Sequence, residues 1–562
     1  MQECLQLEIH ITCVIGLQNN LLKSSRRSCV SPTTSAIIAY SLRIFDSFIR
    51  YTRAMIARTL SVAFYGFTGR LIEVETDMKQ GLPGISIVGM GNKAIDEARE
   101  RIRSAITHSL LQVPPRKFVM SLAPAELPKD GAHMDLALAV SLLVASGQLH
   151  QDEVNGALFA GELSLDGSLK PIRGAITVAE TARNHSLAKV FMPLASAAQA
   201  SLVSGVIIYG IQTLQELFQY LKGVIELSPV EPATITIPSV HTTPGFDAIV
   251  GQEQAKRALQ IAIAGRHNIL LSGPPGAGKT ALAKAITELL PPLTTDEQIE
   301  VTKLHSLAGL TTDTIITERP FRAPHHHITT TALIGGGLPP RPGELSLAHH
   351  GVLFLDELPE YPRTTLESLR QPLEDYQLSL ARIHGTITYP ARCLLIATMN
   401  PCPCGYYGDQ NVACLCSDYQ RQAYQKRLSG PLLDRIDIVV HVTRVDTTLL
   451  MRTDMLYKNQ LSKVLESIVI ATTLQHRRYK SSNRYNAHMT YRDVRHTVTL
   501  SPDAQQFLDQ AARKLHLSAR SYIKTIKVGR TIADLVDLPS VEKAHIAEAL
   551  QLRGQHEHNS PP

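Results

Sequence analysis

Gly273-Pro274-Pro275-Gly276-Ala277-Gly278-Lys279-Thr280 decides how this 562-residue chain is read. It fits the pattern G-x-x-x-x-G-K-[ST]. The apolar run Asn268-Ile269-Leu270-Leu271 precedes it, and a helix-like run from Ala281 to Leu290 follows. Strand, glycine turn and helix, in that order, are the setting the pattern needs. Glycines let backbone N–H groups close around phosphate oxygens, and the new helix adds its positive end. In such a loop Lys279 reaches the β- and γ-phosphates of ATP. The Thr280 hydroxyl then faces Mg²⁺.

Two further apolar runs extend the reading. Gly351-Val352-Leu353-Phe354-Leu355-Asp356-Glu357 describes a buried strand that delivers two carboxylates to its C-terminal end, where parallel α/β sheets bind ligands. Asp356 is expected at Mg²⁺ and Glu357 at the attacking water. Leu394-Leu395-Ile396-Ala397-Thr398-Met399-Asn400 ends in an amide that can orient that water. A turn asparagine before Pro401 is the plainer reading of Asn400 taken alone.

These three strands in this order resemble the AAA+ ATPases. Phe246-Asp247-Ala248-Ile249-Val250-Gly251-Gln252 is similar to the segment that packs on adenine there, which implies nucleotide contacts at Val250 and Gly251. Pro431-Leu432-Leu433-Asp434-Arg435-Ile436-Asp437 resembles the arginine-finger segment of magnesium chelatases and replicative helicases. The likeness implies that Arg435 enters a neighbouring subunit's site, and hence a closed homo-hexameric ring. Ser518-Ala519-Arg520 stands where a lid arginine is expected at the γ-phosphate, with Arg530 as the other choice.

Composition sets the limits. The chain is long enough for two to four domains, and 44% hydrophobic residues can fill their cores. A net charge of +6 permits a nucleic-acid partner without requiring one. The absence of Trp and the 5% aromatic content argue against a broad base-stacking surface. No apolar run is long enough for a membrane span. Of eight cysteines, four fall within residues 402–416, a pattern that suits a reducing, cytoplasmic setting with one local thiol site.

The organisation expected is α/β and multidomain. Residues 1–54 have no clean period and are read as an upstream extension with Met55 as the working start; a targeting segment is the other reading. Residues 55–225 alternate strand-like and helix-like runs, with helices from Asn92 to Leu111 and from Met134 to Ala145. Residues 226–245 form a linker rich in Pro, Thr and Ser. Residues 246–448 make the phosphate-loop α/β core with a parallel sheet, and 449–554 a C-terminal helical lid. Residues 555–562 are a polar tail expected to be disordered.

Residues 55–553 resemble the YifB/ComM family of magnesium-chelatase-like ATPases. The resemblance rests on Arg322-Ala323-Pro324-His325-His326, on Pro342-Gly343-Glu344-Leu345-Ser346-Leu347-Ala348-His349, and on Asn400-Pro401-Cys402-Pro403-Cys404-Gly405. It implies ATP-driven work on single-stranded or branched DNA during natural transformation. The alternating stretch Leu378 to Tyr389 reads as a hairpin. In helicases of that clade such a hairpin points into the pore, where Arg382 and His384 would grip phosphates. An ordinary hairpin with polar tips is the alternative.

Two metal questions arise. His325-His326-His327 is a consecutive triplet, which does not easily bring three imidazoles to one ion, so loop or pore contacts are expected there. Cys402, Cys404, Cys414 and Cys416 can bind Zn²⁺ tetrahedrally, although C-x-C is tighter than the usual C-x₂₋₄-C. Structural zinc and reduced thiols both stay open.

The first domain carries Pro128-Lys129-Asp130-Gly131 and the run Gly161 to Ile172, similar to the proteolytic domain of Lon proteases, an α+β (ribosomal S5 domain 2-like) fold. Those enzymes use a Ser–Lys pair. At the matching positions this chain has His133 and Ile176, so the likeness implies an interaction or ring-assembly module without protease chemistry. An ATP-dependent protease, a magnesium-chelatase motor subunit and a non-enzymatic scaffold are the competing readings.

Overall fold

The computed structural model describes residues 56–89, 93–233, 245–337, 340–382, 385–409, 412–445 and 460–553. The expected extension (1–54), the expected tail (555–562), most of the linker and His384 lie outside the described residues.

The first part is built on a seven-stranded mixed sheet. Its centre is a long hairpin of Ala57–Tyr65 and Thr68–Lys79, paired antiparallel from Ala57 with Thr76 to Tyr65 with Thr68. Alternation along it sends side chains to two cores. Ala63, Ile72 and Val74 face Lys93–His108 and Asp135–Ala145, while Val62 faces Ala175–Asn184 and Leu194–Ala200. Helices therefore cover both faces. The sequence placed its helices at Asn92–Leu111 and Met134–Ala145, within a few residues of where they form.

The second part is a five-stranded sheet, parallel throughout. Its order is Phe321–Arg322, Val352–Leu355, Leu394–Met399, Ile269–Ser272 and Ile438–His441. Every residue of Val352–Leu355, Leu394–Met399 and Ile269–Ser272 is buried, as a sheet covered on both faces requires. Ile269 and Leu271 pack with the helices Glu253–Gly265 and Lys279–Leu289, and Leu270 turns to the opposite core.

Helices dominate residues 460–553, and they sit directly on the parallel sheet. Lys524 of Ala519–Leu535 pairs with Asp437 at 2.7 Å and also donates to the Ile436 carbonyl at 3.2 Å. Arg257 meets Glu548 at 2.8 Å. Ser501 caps Pro502–Lys514 by accepting from the Ala504 N–H, the helix start read from Ser501-Pro502.

One helix, Thr295–Ala308, joins the first sheet to the second. Its Ser306 hydroxyl donates to Gln199 at 3.0 Å and accepts from the Gly174 N–H at 2.9 Å. Its Lys303 pairs with Glu180 and lies 4.0 Å above the Phe67 ring. No described helix is long and apolar enough to cross a membrane.

Candidate functional site

The loop between Ile269–Ser272 and Lys279–Leu289 folds as its glycines demand. A Cβ on Gly273 would stand 2.1 Å from the Val442 carbonyl oxygen, so the strand end admits no side chain there. Gly278 caps the helix at φ 85°, a left-handed value that any other residue adopts only under strain.

Four elements converge beside this loop. The Lys279 ammonium donates to the Gly273 carbonyl at 2.6 Å, the Pro274 carbonyl at 3.0 Å and Asn400 Oδ1 at 3.0 Å. Burial lowers its pKa, and the nearby Asp356 and Glu357 carboxylates oppose that shift. The Thr280 hydroxyl donates to Asp356 Oδ2 at 3.2 Å. Lys279, Thr280, Asp356 and Asn400, chosen from sequence, thus stand in one group as two hydrogen-bonded pairs, Lys279 with Asn400 and Thr280 with Asp356. Glu357 follows in the left-handed region at φ 52°, with its side chain exposed.

Two members of the group had no role in the sequence reading. The Thr398 hydroxyl donates to Asp356 Oδ1 and accepts from the Glu357 N–H at 3.0 Å, so one side chain orients both acids. Its signal was the one hydroxyl in an otherwise apolar strand. Gln252 donates to the Ala277 carbonyl at 3.2 Å and the Thr443 carbonyl at 2.6 Å, tying the Val250-Gly251 segment to the loop. Nothing in its local pattern announces that.

The two arginines lie elsewhere. Arg435 pairs with Glu374, and Arg520 reaches the same carboxylate at 3.2 Å. The Arg435 carbonyl accepts from Asn268, which precedes Ile269–Ser272, whereas Lys279 follows that strand. At ~3.3 Å per residue this puts the Arg435 backbone roughly 17 Å from the loop. Within one protomer Arg520 thus bonds Glu374 beside Arg435. Arg530 is buried, held by Asp534 at 2.9 Å and the Pro539 carbonyl at 2.7 Å within the C-terminal helices.

The Gln377–Arg382 and Gly385–Pro390 strands form the expected hairpin, with Arg382 opposite Gly385. Ile387, Tyr389 and Leu380 pack with Leu304, Tyr65 and Phe67. A Cβ on Gly385 would stand 2.5 Å from the Tyr65 hydroxyl, so the first sheet approaches the Gly385–Pro390 strand closely there. Ser379, Ala381, Thr386 and Thr388 face outward.

Metal-capable groups occur in three places among the described residues. The nitrogens of His325, His326 and His327 lie within 4.8 Å of one another, so the convergence that a consecutive triplet does not easily reach is reached in this loop. Glu300, His349 and His350 form a second group, with Glu300 bonded to both rings at 2.9 and 2.8 Å. Cys402, Cys404, Cys414 and Cys416 form the third.

In the short helix Ala132–Met134, His133 is buried and its Nε2 donates to the Val62 carbonyl of the first sheet at 2.7 Å. Burial brings its pKa down to about 4. Ile176 is wholly buried in an apolar core. A buried imidazole and an aliphatic side chain thus stand where the Lon-type Ser–Lys pair would be.

Residues 245–450 match the family described as magnesium chelatase, subunit ChlI, residues 74–196 match subunit ChlI of Mg-chelatase, and 459–553 match its C-terminal region. The chain is 39% identical to the uncharacterized protein YifB of Salmonella typhimurium over 87% of its own length and 96% of that protein. It is 39% identical to the competence protein ComM of Haemophilus influenzae, over 89% and 97%. A shorter stretch, 24% of the chain, is 32% identical to Lon protease 2 of Bacillus subtilis and covers 26% of it.

Proposed function

This chain belongs to the YifB/ComM family of magnesium-chelatase-like proteins, and on that premise we propose that it is an AAA+ ATPase that drives a homo-hexameric ring along single-stranded or branched DNA. One observation carries the ATPase reading. The adjacent residues Lys279 and Thr280 bond Asn400 and Asp356 respectively, and both acceptors stand at the C-terminal edge of a parallel sheet.

Each residue has a task in that reading. The backbone of Gly273 to Thr280 cradles the phosphates, and Lys279 neutralises charge on the β- and γ-phosphates. Thr280 and Asp356 hold Mg²⁺, which when bound screens the charge that builds on the phosphate oxygens. Glu357 takes the proton of the attacking water, held in position by the Thr398 hydroxyl. Asn400 orients that water. Val250 and Gly251 line the adenine side.

Arg435 and Arg520 share Glu374, away from their own loop. Both are thereby grouped for a neighbouring subunit, where a guanidinium stabilises transition-state charge. That need for a neighbour is the reason for the ring.

DNA as the track rests on the ComM relative, whose name is competence protein, on the net charge of +6, and on the hairpin that carries Arg382 and His384. The parts are read as a Lon-like module without protease chemistry (55–225), an AAA+ core (246–448) and a helical lid (449–554), acting in the cytoplasm. The magnesium-chelatase match over residues 245–450 favours a second reading, a motor that remodels a protein partner.

The test is ATP turnover by the purified chain with no DNA, with single strands, with duplex and with forks. Stimulation by DNA that Arg382→Ala reduces supports the first reading. Turnover indifferent to every DNA favours the second.

A further inference from the structure

The loop after Leu394–Met399 carries four cysteines to which nothing in the proposed ATPase cycle gives a task. We propose that Cys402, Cys404, Cys414 and Cys416 bind a single zinc ion, and that this zinc knuckle braces the phosphate loop.

The spacing of the sulfurs carries the metal. Cys402 Sγ lies 3.3 Å from Cys404 Sγ and 3.6 Å from Cys414 Sγ, and Cys404 Sγ lies 3.6 Å from Cys414 Sγ. All four sulfurs fall within 4.8 Å of one another. Four thiolates about 2.3 Å from one tetrahedral zinc stand about 3.8 Å apart, close to what is seen. A disulfide needs about 2.05 Å, and none of these cysteines is in one. Thiolates that ligate an iron–sulfur cluster are spread over several irons and stand farther apart, so the tight set fits a mononuclear site.

The surrounding chain is built for ligation. Cys402 is fully buried, and the Tyr407 N–H donates to its sulfur at 3.4 Å, the kind of outer contact that orients a metal-bound thiolate. The Gly405 N–H closes a tight turn on the Cys402 carbonyl at 3.0 Å, with Gly405 at φ 85°. That turn brings the short C-x-C pair together.

The same turn touches the nucleotide site. A Cβ on Gly405 would stand 2.6 Å from Pro275 Cδ and 3.9 Å from Asn400 Cγ. Farther along, Asp409 pairs with Arg444 at 3.2 Å, next to Thr443, whose carbonyl holds Gln252. One ion would thus fix the end of the strand that carries Asn400 and one wall of the phosphate loop. This bracing half rests on the reading of that loop as an ATP site; the metal half does not.

Metal content of the purified, tag-free full-length chain, measured by plasma mass spectrometry after dialysis, tests the metal half. One zinc per chain is expected, falling at least about 10-fold in a Cys404→Ser/Cys414→Ser variant. No zinc in the folded wild-type chain, or one iron in its place, overturns the zinc assignment. Full zinc retained by the double variant places the ion elsewhere, for example at His325–His327, and overturns it too. Zinc removal tests the bracing half: affinity for a fluorescent ADP analogue falls about 10-fold in zinc-stripped protein and returns when zinc is added back. Unchanged affinity in zinc-stripped protein that stays folded overturns bracing. A wild-type chain that binds the analogue not at all would defeat the ATP reading and leave the metal result standing.

Discussion

The Thr280 hydroxyl and Asp356 Oδ2 stand 3.2 Å apart across 76 residues of sequence. Only the ordering of the parallel sheet brings them there, since Leu394–Met399 lies between the strands that deliver them. Two oxygens about 3 Å apart match the spacing of neighbouring ligands on an octahedral Mg²⁺. Asp356→Asn should therefore lower ATP turnover at least about 100-fold and raise the Mg²⁺ concentration needed for half-maximal rate. Steady-state turnover across a Mg²⁺ series reads both.

Glu357 separates binding from chemistry. It touches the site through its backbone N–H on Thr398 and leaves its carboxylate exposed. Glu357→Gln should bind ATP like the wild type and hydrolyse it about 100- to 10,000-fold more slowly. Normal turnover would remove Glu357 as the base. Thr398→Val should show a smaller loss of the same kind.

Arg435 and Arg520 meet on Glu374. If they serve a neighbour, Arg435→Ala should cost about 1,000-fold in turnover while each subunit still binds nucleotide. Mixing Arg435→Ala with Lys279→Ala subunits should then restore part of the activity. An intact site forms wherever a chain with a working loop meets a chain with a working finger. Mixtures as inactive as the separate variants would mean that Arg435 acts within its own chain.

The C-terminal helices are held to the parallel sheet by a largely buried charge pair. Lys524 and Asp437 are 2.7 Å apart, and the Lys524 ammonium together with His267 keeps the Asp437 carboxyl well below the usual carboxylate range. Asp437→Asn leaves that ammonium without its partner charge and should cost about 3 kcal/mol. Urea unfolding should show the loss in the transition that includes the lid.

His133 gives the first part an acid-sensitive stability. In an unfolded chain a histidine takes up its proton near pH 6.5; in the fold, burial delays this to about 4. Between those values the unfolded state binds the extra proton. The stability is thus fully present above pH 6.5 and is lost as pH falls, on the order of 2 kcal/mol by pH 5. Unfolding at pH 7.5 and 5.0 should show a smaller difference in His133→Asn than in the wild type.

What the sequence makes legible follows the range of the forces involved. The phosphate loop is local: its glycines, its strand and its helix are contiguous, so Lys279 and Thr280 can be placed by reading alone. Asp356 and Asn400 are nearly so, because each ends an apolar strand. Arg520 is different. Its position depends on how the lid helices dock on the sheet, through pairs such as Lys524 with Asp437, and no periodicity records that. Gln252 is hidden for the same reason, as its two acceptors are 25 and 191 residues away. The histidine triplet shows the reverse case: spacing makes convergence look hard, yet a loop, unlike a helix, can fold consecutive side chains together.

The measurement that bears most directly on the proposed motor is ATP turnover of the wild-type chain with and without forked DNA at low salt, with Lys279→Ala as the blank. The account predicts a Mg²⁺-dependent rate that rises several-fold with DNA, falls steeply with added salt and vanishes in the variant. A rate that DNA leaves unchanged, from a chain that also fails to bind DNA at low salt, would contradict it.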